Sequence, residues 1–272
     1  ACDMLIALHA RRSYDSIQRF QDSHPNLPLI VVLTGTDVYR DIHVDADAQR
    51  SLELATRLVA LQQMALRELP KRYRAKTRVI YQSAERYRAQ RKGPQANFRV
   101  CVVGHLREEK DPLRAALAVR QLPADSKINV LHIGQALDNT LSAKARSESA
   151  QNPRYRWIGQ RSHKKTRELL ALSALVCITS KMEGSSNVLS EALASGVPVV
   201  ASKISGLIGT LGTKYLGFYP VGDTAKLRRL LLRCERDRRF YRALKRQCRT
   251  LASLVKPKRE LEEWKKLLRE II

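Results

Sequence analysis

The sequence predicts an α/β fold made of two Rossmann-like, doubly wound domains. Apolar runs of strand length alternate with amphipathic helical stretches, a pattern typical of parallel sheets covered by helices on both faces. The alternation is interrupted at residues 84–96, which are polar and charged and include a Gly-Pro pair. At 272 residues the chain is long enough for two cores. We therefore expect a first domain over residues 1–90, a second over 97–256 and a terminal helix over 257–272.

In the first domain, four strands and two helices are predicted from the hydrophobic pattern. The strands are expected at residues 4–10, 29–35, 58–62 and 79–82, and the helices at 13–22 and 47–56. A doubly wound domain usually has more than four strands, and the chain does not begin with methionine. We expect a fragment whose first domain is N-terminally truncated; the alternative is a homologue that has lost its first unit.

The second domain is predicted to contain six strands. They are expected at residues 100–104, 129–134, 155–159, 175–180, 197–202 and 217–221. Asp111 is the expected N-cap of the first helix in this domain, because Pro112 suits the first helical position. The terminal helix is amphipathic, and its apolar side carries Leu261, Trp264, Leu267, Leu268 and Ile271.

The formal net charge of +24 predicts affinity for polyanions. Much of this charge lies between Lys226 and Lys258, where arginines alternate with leucines as on a helix with a solvated basic face. No basic–aromatic repeat accompanies it, so we expect no specific nucleic-acid function. No apolar run is long enough for a membrane span. The five cysteines and six histidines are dispersed, so we expect a cytoplasmic protein with no metal site and no cofactor.

The segment at residues 183–201 is the most informative of the chain. An apolar run precedes it, and Gly184, Ser185 and Ser186 then lead into a helix. A helix that starts at the carboxyl edge of a parallel sheet presents free N–H groups and a partial positive charge, which favour a bound anion. Glu183 and Glu191 frame this end of the helix. On their own, the two carboxylates favour a helix-capping group and an exposed surface residue, whereas Gly184, Asn187 and the Gly-x-Pro-Val-Val continuation favour a binding site.

This segment resembles the nucleotide-sugar signature of retaining glycosyltransferases with the GT-B fold. The matching features are a Glu, seven residues, a second Glu and a Gly-x-Pro-Val-Val continuation. The resemblance implies that Glu183 contacts the transferred sugar and is catalytic, and that Glu191 holds the ribose hydroxyls. It also assigns the pyrophosphate to the backbone amides of Ser186, Asn187 and Val188, with Gly184 and Ser185 as further donor-binding residues. GT-B proteins have a terminal helix that crosses back to the first domain, and we expect the same here.

The loop after the first strand of the second domain carries a second candidate set. The family pattern is Gly-Arg-Leu, three residues and Lys, where the Arg and Lys neutralise the departing diphosphate. Here Gly104 and Lys110 match, whereas His105 stands where the family has Arg, and Arg107 could compensate. The resemblance therefore implies a catalytic and donor-binding role for Lys110. Surface solvation is the alternative for this lysine.

Two loops at strand ends of the first domain are expected to face the same cleft. They contribute Arg11 and Arg12, and Thr36, Asp37 and Arg40. A wall with these arginines suits a small anionic acceptor better than a neutral glycan. The alternative is that Asp37 caps a turn and the arginines are solvated.

The pattern along the whole chain is similar to the selenosugar synthases of selenoneine biosynthesis. The similar segments are residues 7–13, 33–40, 79–83, 104–113, 152–157 and 219–223. This resemblance implies that a UDP-sugar reacts with selenophosphate to form a C–Se bond and, after loss of phosphate, a selenosugar. A selenium anion is already nucleophilic and needs no general base. Two alternatives remain: a hexosyltransferase with a lipid or glycan acceptor, and a non-catalytic polyanion-binding protein. The sequence gives neither the preferred sugar nor the oligomeric state.

Overall fold

The computed structural model describes residues 2–89 and 97–271, which form two lobes with one parallel sheet each. The first sheet has the order β1-β2-β3-β4. Its strands are β1 (Leu5–Leu8), β2 (Leu29–Leu33), β3 (Arg57–Ala60) and β4 (Thr77–Val79). Every strand pair is parallel. Strand β2 is buried along its whole length, as expected for a strand of an α/β sheet with both faces covered.

The second sheet has six parallel strands in the order β10-β9-β8-β5-β6-β7. These strands are β5 (Phe98–Val103), β6 (Ile128–Ile133), β7 (Tyr155–Trp157), β8 (Leu175–Ile178), β9 (Val199–Ser202) and β10 (Phe218–Tyr219). The chain winds outward from β5 through β6 to β7 and then returns to place β8 on the other side of β5. The strand order therefore reverses between β5 and β8. The predicted class, an α/β fold with two parallel sheets, is confirmed.

Helices cover the sheets of both lobes. In the first lobe they are α1 (Tyr14–Ser23), α2 (Ile42–Val44), α3 (Ala46–Leu54), α4 (Ala65–Glu68) and α5 (Lys71–Arg74). In the second lobe they are α6 (Arg114–Val119), α7 (Asn139–Gln151), α8 (His163–Ala171), α9 (Asn187–Ala194), α10 (Ser205–Leu211), α11 (Thr224–Arg236) and α12 (Arg238–Leu251). The terminal helix is α13 (Pro257–Arg269). No helix in the described ranges 2–89 and 97–271 is long and apolar enough to cross a membrane.

Some local predictions were wrong. Asp111 does not cap α6: it has a positive φ of 43° after a short 3-10 turn, and its carboxylate binds Arg114 instead. The short helices α2, α4 and α5 were missed, because segments of three or four residues are too short to show a helical period. Of the expected linker at 84–96, residues 84–89 are irregular and residues 90–96 lie outside the described part of the chain.

The terminal helix α13 packs on the first sheet although the chain reaches it from the second lobe. Leu267 is buried against Ile30, Val59 and Ile80, and Trp264 joins the same cluster. An ion pair between Arg78 and Glu270, at 2.8 Å, ties the end of the helix to β4. The first sheet thus has one face covered by the last segment of the sequence.

The packing of α13 gives a prediction about stability. Leu267 is 1% exposed and Leu261, on the same helix, is 55% exposed. Leu267→Ala should lower the free energy of unfolding by about 2–5 kcal/mol, because it leaves a cavity between α13 and the sheet. Leu261→Ala, the matched control, should change it by less than about 0.5 kcal/mol. Urea denaturation of both variants measures the difference, and equal midpoints would contradict the described packing.

Candidate functional site

A cleft of about 670 Å³ lies between the two lobes, at the carboxyl ends of β5 and β8. In open parallel sheets the crevice for a ligand forms where the strand order reverses, because the loops on either side diverge there. The two loops that contain the predicted donor residues follow these two strands. All of the predicted donor residues line the cleft: Gly104, His105, Arg107, Lys110, Glu183, Gly184, Ser185, Ser186, Asn187, Val188 and Glu191.

Helix α9 starts at this cleft. Ser186 is its N-cap, and the Ser186 hydroxyl accepts a hydrogen bond from the Leu189 backbone N–H. The backbone N–H groups of Asn187 and Val188 have no hydrogen-bond partner among the described residues. Together with the partial positive charge of the helix end, they form a site for an anionic oxygen.

Gly184 brings the loop before α9 against the first lobe. A Cβ at Gly184 would clash with the backbone of Thr34 and Gly35, so only glycine permits this contact between the lobes. On the other side of the loop, a Cβ at Gly206 would clash with the carbonyl of Glu183. The Glu183–Gly184 backbone is therefore fixed between two elements that approach without side chains.

Lys110 and Glu183 connect the two loops of the cleft. The Lys110 ammonium donates to Glu183 Oε1 at 2.6 Å, and the Ser180 hydroxyl donates to the same oxygen at 2.6 Å. The Thr179 hydroxyl donates to the Lys110 carbonyl at 2.8 Å. These bonds place one cation and one carboxylate side by side, within the cleft that the N-terminus of α9 also lines.

His105 is a neutral donor in this cleft. Partial burial, aided by the charges of Arg107 and Lys110, lowers the pKa of His105 below its ordinary value. Its Nδ1 accepts the Gln135 backbone N–H at 3.0 Å. The proton of the neutral ring is therefore on Nε2. The fixed positive charge on this loop consequently comes from Lys110 and Arg107.

His132 holds the backbone of the loop that follows β5. The His132 Nε2 donates to the Gly104 carbonyl at 3.0 Å, so its Nδ1 accepts from the Tyr155 hydroxyl at 2.8 Å. Gly134 lies against the Gly104 carbonyl, where a Cβ would clash. Burial lowers the pKa of His132 to about 4, so the ring is neutral near pH 7. His132 is a positioning residue for the loop that carries His105.

Glu191 lies on α9, and its side chain is oriented by His163. His163 Nε2 is 2.8 Å from Glu191 Oε1. The Glu191 side chain is largely buried whereas that of His163 is exposed. The carboxylate therefore has a defined direction and still borders the cleft.

The first lobe contributes Arg12, Thr36 and His9 to the opposite wall of the cleft. His9 has a positive φ of 74°, a conformation that is uncommon for a residue with a side chain. Its Nδ1 accepts the Arg12 backbone N–H at 3.2 Å, and its Nε2 lies 2.8 Å from the Thr36 hydroxyl. These contacts hold the two strand-end loops of the first lobe together.

Three residues predicted to bind the acceptor are placed differently. Asp37 is fully buried, and its carboxylate accepts backbone N–H groups of Ala10, Thr34, Gly35 and Val38. It fixes the loop and cannot reach an acceptor. Arg11 pairs with Asp45 at 2.7 Å, Arg40 pairs with Asp41 at 2.8 Å, and neither lines the cleft. Spacing along the sequence cannot show which arginine an acidic neighbour already engages.

Several residues of the site were not assigned a role from the sequence, among them His9, His132, His163 and Ser180. His9 and Ser180 lie in loops just beyond the carboxyl ends of strands, a position that could have marked them as candidates, and His163 is the first residue of α8. His132 lies inside β6, where its sequence context is that of a core residue. Only the fold shows that its ring reaches the Gly104 carbonyl.

Comparison with known proteins identifies the family. Residues 83–250 match the family model described as glycosyl transferases group 1. No curated protein matches the chain.

Several solved structures share the fold over nearly the whole chain. HepE from Anabaena, solved in complex with UDP, has a TM-score of 0.82 at 18% identity and covers 98% of this chain and 79% of its own. Sucrose-phosphate synthase from Thermosynechococcus elongatus has a TM-score of 0.80 at 18% identity, with 98% and 73% covered. A glycosyltransferase from Rickettsia africae has a TM-score of 0.76 at 13% identity, with 99% and 76% covered.

The buried His132 gives a prediction about pH. Its pKa is lowered to about 4 in the folded chain, against about 6.5 for an unfolded one. Between these values the unfolded chain binds more protons, so this residue's contribution is complete above pH 6.5 and falls as the pH drops toward 4. The loss reaches about 3 kcal/mol. In His132→Gln, whose amide can make both hydrogen bonds, this part of the pH dependence should disappear.

The measurement is urea denaturation of both proteins at several pH values from 4 to 8. His132→Gln removes one titrating group, and the pH dependence that the two proteins share comes from the remaining groups and serves as an internal control. If the free energies of unfolding of the two proteins changed in parallel over this range, a buried neutral His132 would be contradicted.

Proposed function

The chain belongs to the glycosyl transferases group 1 family, and we propose that it transfers a sugar from a UDP-sugar to selenophosphate. The observation that carries this proposal is the cleft at the strand reversal. There the free N–H groups of α9 and the ammonium of Lys110 line the same space. Such a pair is suited to a diphosphate, and the proposal assigns the diphosphate of the donor to it.

The donor would occupy the second lobe. Its diphosphate would accept hydrogen bonds from the Asn187 and Val188 backbone, and Glu191 would accept the ribose hydroxyls. HepE, which shares the fold, has been solved with UDP and with UDP-glucose, which supports UDP as the nucleotide. Glu183 lies beside Lys110 and would accept hydroxyls of the transferred sugar.

Departure of UDP requires positive charge on its diphosphate as the bond to the sugar breaks. Lys110, Arg107 and the N-terminus of α9 supply fixed positive charge, and the neutral His105 supplies an N–H donor. In the structure the Lys110 ammonium is engaged by Glu183 at 2.6 Å. A bound diphosphate would compete for that ammonium, so Lys110 can bridge donor and carboxylate.

The acceptor would bind against the first lobe, where Arg12, Thr36 and His9 line the cleft. Selenophosphate is a small anion, and a cation with two polar side chains is suited to it. Its selenium atom attacks the anomeric carbon, the C–Se bond forms, and the bond from that carbon to UDP oxygen breaks with its electron pair on UDP. Water then cleaves the Se–P bond and releases phosphate from the selenosugar. Selenium is already anionic, so the transfer step needs no general base.

The reaction itself tests the proposal. The protein is incubated with a UDP-hexose and selenophosphate, and mass spectrometry follows the selenium isotope pattern on a hexose. We expect a selenium-labelled hexose and equimolar UDP, and the same yield in EDTA because the proposed charges belong to the protein. Thiophosphate and a glycan acceptor are run in parallel. Transfer to the glycan without transfer to selenophosphate would overturn the acceptor assignment.

A substitution tests the donor site separately. Glu191→Gln removes the negative charge that the ribose hydroxyls are proposed to meet, and should weaken UDP binding about 10- to 100-fold, as expected for hydrogen bonds to a charged group. Glu262→Gln, on the far helix α13, removes the same charge and should leave binding unchanged. Calorimetry with UDP measures both. Equal affinities for the two variants would refute the assignment of Glu191.

A further inference from the structure

A second cavity lies at the C-terminal end of α9, whereas the cleft lies at its N-terminus, and the chain crosses between the lobes beside this cavity. It has a volume of about 650 Å³ and is lined by residues 84 and 86–89, by the C-terminal end of α9, by α12 and by the start of α13. Residues 84–89 leave the first lobe, and Lys256 and Pro257 are where the chain returns to it. We name this cavity the crossing groove.

Five cations line the crossing groove. They are Arg86, Arg88, Lys245, Arg249 and Lys256. All five are exposed, and no ion pair or side-chain hydrogen bond joins any of them to another described residue. The described lining includes no carboxylate. The partial negative charge at the end of α9 opposes an anion here, but it amounts to about half an elementary charge, against five full positive ones.

The wall of the groove formed by residues 84–89 is held in place by contacts with the second lobe. The Ala84 N–H donates to the Val255 carbonyl at 3.0 Å. Arg167 binds the Glu85 carbonyl and lies 5.7 Å from the ring centroid of Tyr87. Because the segment is held at these points, Arg86 and Arg88 are presented to the groove without an ordering cost for the whole segment.

We propose that the crossing groove binds an oligophosphate, a ligand with several phosphate charges in a row. Unpaired cations concentrated in a concave surface attract such a ligand strongly. The cations lie on three segments of the chain, so a row of phosphates can contact more of them than a single phosphate can. The apolar floor, formed by residues such as Leu193, Val197 and Val255, reduces the competition from water. Bound there, the ligand would join residues 84–89 to α12 and to the start of α13.

The test uses inorganic tripolyphosphate with the whole chain already saturated with UDP, so that the cleft is occupied. Calorimetry should show one tripolyphosphate bound per chain. Lys245→Gln/Arg249→Gln should weaken that binding at least tenfold. Lys71→Gln/Lys144→Gln removes the same charge from exposed positions elsewhere and should not.

Acetylation of lysines followed by mass spectrometry locates the ligand independently. Tripolyphosphate should protect Lys245 and Lys256 and leave Lys71 and Lys144 reactive. Equal weakening in both double variants, or uniform protection of all lysines, would overturn the proposal in favour of attraction by net charge alone. Binding to phosphatidylglycerol vesicles without binding to tripolyphosphate would overturn it in favour of a membrane surface. UDP binding is measured first, so failure of the donor-site proposal can be distinguished from failure of the oligophosphate proposal.

Discussion

The reversal of strand order between β5 and β8 is the constraint on which the candidate site depends. Because the chain winds outward from β5 and then returns to its other side, the loops after these two strands diverge and leave a crevice. One loop supplies Lys110 and the other supplies Glu183 and the start of α9. The ion pair and the Thr179–Lys110 hydrogen bond then hold the two loops at a fixed separation.

Glycines set how closely the parts of the cleft approach. Gly134 lies against the Gly104 carbonyl, Gly206 against the Glu183 carbonyl, and Gly184 against Thr34 and Gly35 of the first lobe. Each of these contacts is between backbone atoms, so a single added methyl group would separate them. The glycine contacts therefore determine the shape of the cleft. The few polar side chains that these contacts hold in place determine which ligand groups it can bind.

The large positive charge is divided among distinct places. A small part lines the cleft, where Lys110 and Arg12 face the space between the lobes. Another part surrounds the crossing groove, where it has no ionic partner among residues 2–89 and 97–271. Much of the rest covers α11 and α12, whose apolar faces are buried by Leu227, Leu231, Phe240 and Leu244. The net charge alone is thus compatible with solvation, with donor binding and with a second anion site. Only the position of each basic residue in the fold shows which of these roles it can have.

The sequence by itself determined the class of fold and the family, and it marked the two second-lobe loops that line the cleft. Strand-length apolar runs, the Glu183–Glu191 spacing and the Gly-x-Pro-Val-Val continuation are local features, so they are visible without coordinates. Only the tertiary structure decided which first-lobe side chains face the cleft. It showed that Asp37 is engaged by four backbone N–H groups and that Arg11 and Arg40 are paired. It also revealed His132 beneath Gly104 and His163 beside Glu191. The contacts of His132 and His163 each join residues 28 positions apart in the chain. The physical reason is that burial and partners depend on packing, which no local spacing encodes.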